Sequence, residues 1–118
     1  RQRKMGKRDR YTLEFANRDT WNTGLDDDAR KGFQVLKLFK EHGFEGEIGI
    51  GVSDVHVNEI ESPELIRDRI LYSAKALGDP TKVYVNPDCG LRTRTREVSF
   101  DKIRSIVKGA ELARKATE

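Results

Sequence analysis

The chain has 118 residues, 36% of them charged and 36% hydrophobic, which fits one domain, or a piece of a larger one, with a core of limited size. No apolar run approaches the roughly 20 residues that cross a bilayer, and no signal-peptide pattern opens the sequence. A single cysteine excludes an internal disulfide, so a reducing cytoplasm is the expected compartment.

The net charge of +3 is unevenly distributed. Residues 1–10 (RQRKMGKRDR) hold six basic side chains and one acid, which leaves seventeen basic against nineteen acidic in residues 11–118. The first ten residues read as a solvated basic connecting arm. They lack interleaved aromatics, and no nucleic-acid fold signature follows, so nucleic acid is not an expected partner, and neither is a membrane.

Residues 11–16 (YTLEFA) predict a short strand that contains Glu14. A carboxylate there must be paired, bound to a metal, or placed at an exposed end. A polar, turn-rich loop with Trp21 follows, longer than a compact α/β connection needs. Asp27 or Asp28 can cap a helix running to His42 and closed by Gly43, with Phe33, Leu36 and Phe39 on its apolar stripe and His42 exposed. Residues 47–55 (EIGIGVSDV) predict a second strand. Its bulky face is Ile48, Ile50 and Val52; Gly49, Gly51 and Ser53 leave the other almost bare, as in a tightly curved sheet or where a ligand nears the backbone. His56 follows at the strand end.

Ser62-Pro63-Glu64 is a strong helix start, and Gly78-Asp79-Pro80 a stop. Between them Leu65, Ile66, Ile70, Ala74 and Leu77 form the stripe. A third strand over 82–85 leads to Asn86-Pro87-Asp88, where the proline is expected to end the pairing, and then to Cys89-Gly90. The lone thiol is either an inert small hydrophobe or a reactive or metal-bound sulfur. A last helix is predicted over about 97–115, with Ile103, Ile106, Val107, Ala110 and Ala113 facing inward.

Strands alternating with helices of this length imply a parallel α/β sheet with right-handed crossovers. Ligands of such sheets bind beyond the carboxyl ends of the strands. Glu14, His56 and Cys89 lie in or just after the three strands. All three residue types ligate zinc, and Glu and His also transfer protons.

The runs GIGVSDVH (49–56), VNPDCGLRTR (85–94) and LEFANR (13–18) resemble the C-terminal catalytic barrel of cobalamin-independent methionine synthase, and the similarity extends over about 11–114. The resemblance implies a zinc-dependent methyltransferase in which these residues form three consecutive parallel βα units, the C-terminal part of a (β/α)8 TIM barrel. By that resemblance Cys89 and Glu14 are metal ligands, and His56 is the catalytic proton donor or shuttle. The residues that would bind the methyl donor are not identified. The cofactor implied is Zn2+, the acceptor is homocysteine, the product is methionine, and the donor is a methylfolate or a methylcorrinoid.

The family's His-x-Cys ligand pair is missing, since the only other histidine is His42 and there is no second cysteine. The remainder of the barrel, or another subunit, is therefore expected as a partner, and the isolated chain is expected to be inactive and to bind zinc weakly or not at all. Two alternatives remain open. One is another zinc alkyltransferase of the superfamily, such as those acting on coenzyme M thiol. The other is a non-catalytic partial barrel that assembles with a partner.

Overall fold

The computed structural model describes residues 10–44, 46–88 and 95–117. Three parallel strands, β1 (Arg10–Glu14), β2 (Glu47–Ser53) and β3 (Val83–Pro87), stand in the order β1-β2-β3. Helix α1 (Leu36–Glu41) connects β1 to β2, α2 (Pro63–Leu77) connects β2 to β3, and α3 (Arg96–Thr117) follows β3. The α/β class, the three parallel βα units and their order are those expected from the sequence. The basic arm lies outside the described residues except for Arg10, which opens β1. Among the described residues no helix is long and apolar enough to cross a membrane.

Register decides which side chains share a face. Leu13 pairs with Ile50 and Ile50 with Val85, while Glu14 pairs with Gly51 and Gly51 with Asn86. The Ile48, Ile50 and Val52 row is fully buried against Phe33, Leu36, Ile66 and Ile106 from the helical side. The opposite face carries Thr12, Glu14, Gly49, Gly51 and Asn86, consistent with the period of two along a strand.

Helix α2 follows its sequence signals closely. Ser62 accepts the Leu65 N–H at 3.1 Å, Pro63 holds the first helical position, and Gly78 closes the helix at φ 81°. Gly43 ends α1 in the left-handed region at φ 69°, and the Phe44 N–H returns to the Phe39 carbonyl. His42 is exposed, as expected.

Helix α1 departs from expectation at its start. A single helix was predicted from Asp27 or Asp28, but 31–33 form one 3-10 turn and regular α-helix begins only at Leu36. Tertiary contacts outcompete the local propensity here. Asp26 takes the Ala29 N–H, Asp27 bonds Lys37 and Tyr72, and the Gly32 N–H donates to Asp19. At Gly32 the backbone runs so close to Asp19 N and Phe15 O (both 2.7 Å from an added Cβ) that no side chain fits.

The strand ends also differ. β1 stops at Glu14 rather than Ala16, because the next amides bond Asp88. β2 stops at Ser53 rather than Val55, because the Asp54 N–H turns to Glu61. β3 runs past the predicted Val85 and, as expected, its pairing ends at Pro87, the partner of Ser53. The proline's missing N–H is bypassed when Asp88 donates to the Ser53 carbonyl at 2.9 Å, past an irregularity between Gly51 and Ser53.

Helix α3 presents a different face from the predicted one. Ile106 and Ala113 are buried and Ala110 partly so, but Ile103 and Val107 are about half exposed and line up with exposed Phe100. The reason is where α2 touches it. Lys102, Ile106, Gly109 and Ala113 form the inner stripe, and a Cβ added at Gly109 would overlap Ile66 and lie 2.9 Å from the Pro63 carbonyl. Gly109→Ala should therefore destabilise the fold by about 1–3 kcal/mol through overpacking, despite alanine's better helix propensity. A urea midpoint equal to or above that of the parent would show the α2–α3 contact to be looser than described.

Candidate functional site

The carboxyl ends of the three strands form the candidate site. Glu14 is the last residue of β1, at the exposed end that the sequence allowed for it. His56 lies three residues beyond β2, and its Nε2 stands 3.6 Å from Glu14 Oε1 with both side chains about half exposed. The imidazole's backbone is fixed locally, since the His56 N–H donates to Asp54 Oδ1 at 2.9 Å while the Asp54 N–H donates to Glu61 Oε2 at 2.7 Å. Two of the three predicted site residues are thus brought together. The third, Cys89, lies outside the described residues, and so does most of the segment after it, 90–94.

Asp88, the residue before Cys89, was read in sequence only as part of a turn. It is buried, and its carboxylate accepts the N–H groups of Phe15 (3.2 Å), Ala16 (3.0 Å) and Asn17 (2.8 Å). To reach them it crosses the end of β2, where Gly51 has no side chain to obstruct it; a Cβ there would overlap Asp88 Oδ1. Gly49 likewise leaves room for Asn86 Nδ2 and, 3.1 Å from an added Cβ, Thr12 Oγ1. The bare face of β2 therefore serves side chains of β3 that reach across it. Burial pushes the Asp88 carboxyl up to about 6, with the three amides pulling in the opposite direction and the charge of Asp54 adding to the rise.

A buried ionic network supports the same mouth from below. Glu61 accepts from Ser53 Oγ (3.0 Å), the Asp54 N–H, Arg69 Nη1 (3.2 Å) and Lys102 Nζ (3.3 Å). Arg69 also donates to Asp19 Oδ2 (2.8 Å), the Val52 carbonyl (2.7 Å) and the Thr20 carbonyl (3.1 Å), and Lys102 donates to the Glu59 carbonyl (2.6 Å). Trp21, whose role the sequence leaves undecided, is part-exposed and has its ring facing the Arg69 guanidinium, with 5.9 Å from Cζ to the ring centroid. Arg30 is fully buried beside Asp19 and bonds the Thr20 and Asn22 carbonyls; its Nη1 has no hydrogen-bond partner among the described residues. The sequence signal for this network was weak, because Arg69 and Lys102 occur in helices where a basic residue is ordinarily solvated.

A family model described as "Cobalamin-independent synthase, Catalytic domain" matches residues 25–112. The chain belongs to the cobalamin-independent methionine synthase family. It is 52% identical over 105 residues to a methionine synthase of Thermoplasma acidophilum, covering 86% of this chain and 31% of that protein. A methionine synthase of Thermoplasma volcanium is 47% identical over 103 residues (84% and 30%), and one of Saccharolobus solfataricus 37% over 82 residues (70% and 24%). The chain spans less than a third of the length of these family members. A solved structure, a B12-independent methionine synthase from Shewanella sp. W3-18-1 in complex with selenomethionine, shares the fold. It matches with a TM-score of 0.69 at 24% identity, over 92% of this chain and 27% of that one. The fold is thus α/β and forms part of the family's (β/α)8 barrel.

Two measurements probe this site. Glu61→Ala leaves Arg69 and Lys102 short of their shared acceptor and should cost about 3–5 kcal/mol, read as a lowered urea midpoint. A loss below 1 kcal/mol would show the network to be replaceable by water. The second concerns pH. Because the folded carboxyl of Asp88 titrates above its ordinary value, the folded state retains the proton that the unfolded chain has released. The proton-linked part of the Asp88 contribution to stability is therefore present in full below about pH 3.8 and is lost as pH rises toward 6, while the hydrogen bonds of the carboxylate to the three amides remain. The stability of the parent relative to Asp88→Asn should fall across that window, and a difference that is flat or rises with pH would contradict the assignment.

Proposed function

We propose that these residues supply the zinc-binding and proton-transferring side of a site that moves a methyl group to the thiol of homocysteine, giving methionine. The observation that carries the reading is the 3.6 Å approach of Glu14 and His56 at the strand mouth, in a chain of the cobalamin-independent methionine synthase family. Glu14 and Cys89 would be two of the zinc ligands. The accessible Glu14 carboxylate fits that role, and a carboxylate with a thiolate suits zinc. Bound zinc supplies a thiol that loses its proton near neutral pH. His56 lies beside that carboxylate, and with a methylfolate as donor its Nε2 would be the atom that holds and delivers a proton to the departing amine, whereas a methylcorrinoid would leave as its Co(I) form with no proton needed.

The two ligands are short of the three that catalytic zinc sites ordinarily use. Among the described residues no group of three His, Cys, Asp or Glu is close enough to hold a metal. The remaining ligands then come from the rest of the barrel or from another subunit, meeting the two edge strands of the sheet, β1 and β3. Alone, the chain is inactive in this reading, and its compartment is the cytoplasm.

The test is made in the completed barrel. Glu14→Gln should lower zinc occupancy and reduce methyl transfer to homocysteine by a hundredfold or more. His56→Gln should retain zinc and lower kcat by roughly 10²-fold or more. Full zinc and full rate in Glu14→Gln would overturn the proposal. Transfer to coenzyme M in preference to homocysteine would replace the acceptor but keep the site.

A further inference from the structure

We propose that Asp88 is a positioning residue that fixes the end of β1, and with it Glu14, beside His56. The inference rests on the reading of Glu14 as a site carboxylate. It concerns how that carboxylate is aimed rather than what it binds.

The ladder between β1 and β2 ends at the Glu14–Gly51 pair, so the amides that follow have no strand to bond. Left to water, this stretch would let the Glu14 backbone swing, and its side chain is about half exposed. Instead three successive N–H groups, of Phe15, Ala16 and Asn17, converge on the one buried carboxylate of Asp88. Asp88 is itself held, since its N–H donates to the Ser53 carbonyl at 2.9 Å. It is thereby joined to the ends of all three strands, to β1 through its side chain, to β2 through its amide, and to β3 by the chain. His56 is held by the same device on the neighbouring strand, where Asp54 Oδ1 accepts its amide. Each member of the Glu14–His56 pair thus has its backbone set by an aspartate, and the two aspartates share the mouth.

The reach of Asp88 depends on Gly51. A Cβ at Gly51 would overlap Asp88 Oδ1 and would also lie 2.9 Å from both the Asp88 Cα and the Leu13 carbonyl, so rotating the Asp88 side chain would not relieve it. A short side chain with two acceptor oxygens meets the requirement. Asparagine keeps one oxygen but aims an N–H2 group at the same donors, and alanine keeps none.

The experiment uses the 118-residue chain in solution. Amide hydrogen exchange is followed at Phe15, Ala16 and Asn17, with Ile50 in β2 as the internal reference for global opening. The nuclear Overhauser contact between the Glu14 side chain and the His56 ring reports the pair. Asp88→Ala should lower protection at the three amides by roughly tenfold or more relative to Ile50, as expected on loss of a charge-assisted hydrogen bond, and should abolish the Glu14–His56 contact. Asp88→Asn should fall between parent and Asp88→Ala. Gly51→Ala should reproduce the loss with the aspartate still present, which keeps the idea testable should Asp88→Ala fail to fold. Gly109→Ala, which strains the α2–α3 contact away from the mouth, should lower global stability while leaving both local readouts unchanged.

Protection within twofold of the parent in Asp88→Ala, or an undiminished Glu14–His56 contact, overturns the positioning role. So does an equal loss of both readouts in Gly109→Ala, which would make them measures of stability alone. Added zinc separates this inference from the site reading beneath it. Zinc that perturbs neither Glu14 nor His56 in the completed barrel defeats the metal reading, whereas the exchange and proximity data judge Asp88 independently.

Discussion

The mouth of this sheet depends on a side chain that crosses a strand. Asp88 leaves β3, passes over Gly51 of β2, and ends among the amides that follow β1. In a parallel sheet, neighbouring strands are tied by their ladders, but the segments that emerge from their ends are not. A carboxylate bonded to three backbone N–H groups supplies that missing tie in a buried setting, where such bonds are stronger than in water. Glycine on the middle strand is the condition for it. The alternation of bulky and bare residues along 48–53 thus carries two constraints at once: Ile48, Ile50 and Val52 build the core, and the gaps between them route polar side chains across the opposite face.

The ionic network beneath the mouth answers a related problem. The loop over 19–30 and the turn over 54–62 contain few apolar anchors, yet they carry the residues that frame the site. Arg69 and Lys102, from two different helices, satisfy carbonyls and carboxylates in both segments through Glu61 and Asp19. Such buried charges contribute little net stability over well-packed hydrocarbon, but removing one partner strands the others. Their effect is therefore to make the loop arrangement unique rather than to make the fold strong. Trp21 extends this by turning its ring toward the Arg69 guanidinium.

The sequence showed the architecture wherever local signals and tertiary packing agreed. At α2 the Ser62 cap, Pro63 and Gly78 each act within one turn of backbone, so they survive unaltered in the fold. The placement of Glu14 and His56 at neighbouring strand ends was legible for the same reason, since strand order and direction fix it. The start of α1 is not legible, because Asp27 and Asp28 are equally good caps in isolation, and Asp27 is drawn instead to Lys37 and Tyr72 while Asp26 takes the Ala29 N–H. The face of α3 is not legible because Ile103 and Val107 extend an apolar stripe that Lys102 and Gly109 do not, and it is the close approach of Ile66 and the buried ion pair to Glu61 that turn Lys102 and Gly109 inward. Asp88 stood in plain view within NPDC, but a turn aspartate and a cross-strand tether have the same spelling.

The stripe of Phe100, Ile103 and Val107 has a thermodynamic meaning of its own. Apolar surface left uncovered on the outer face of a terminal helix withholds part of the hydrophobic free energy that the helix could contribute. Whatever covers it adds that energy to the folded state alone, so the folding equilibrium of these residues becomes a function of the concentration, or the tether length, of the covering surface. In the presence of such a covering surface the melting temperature rises with its concentration or proximity.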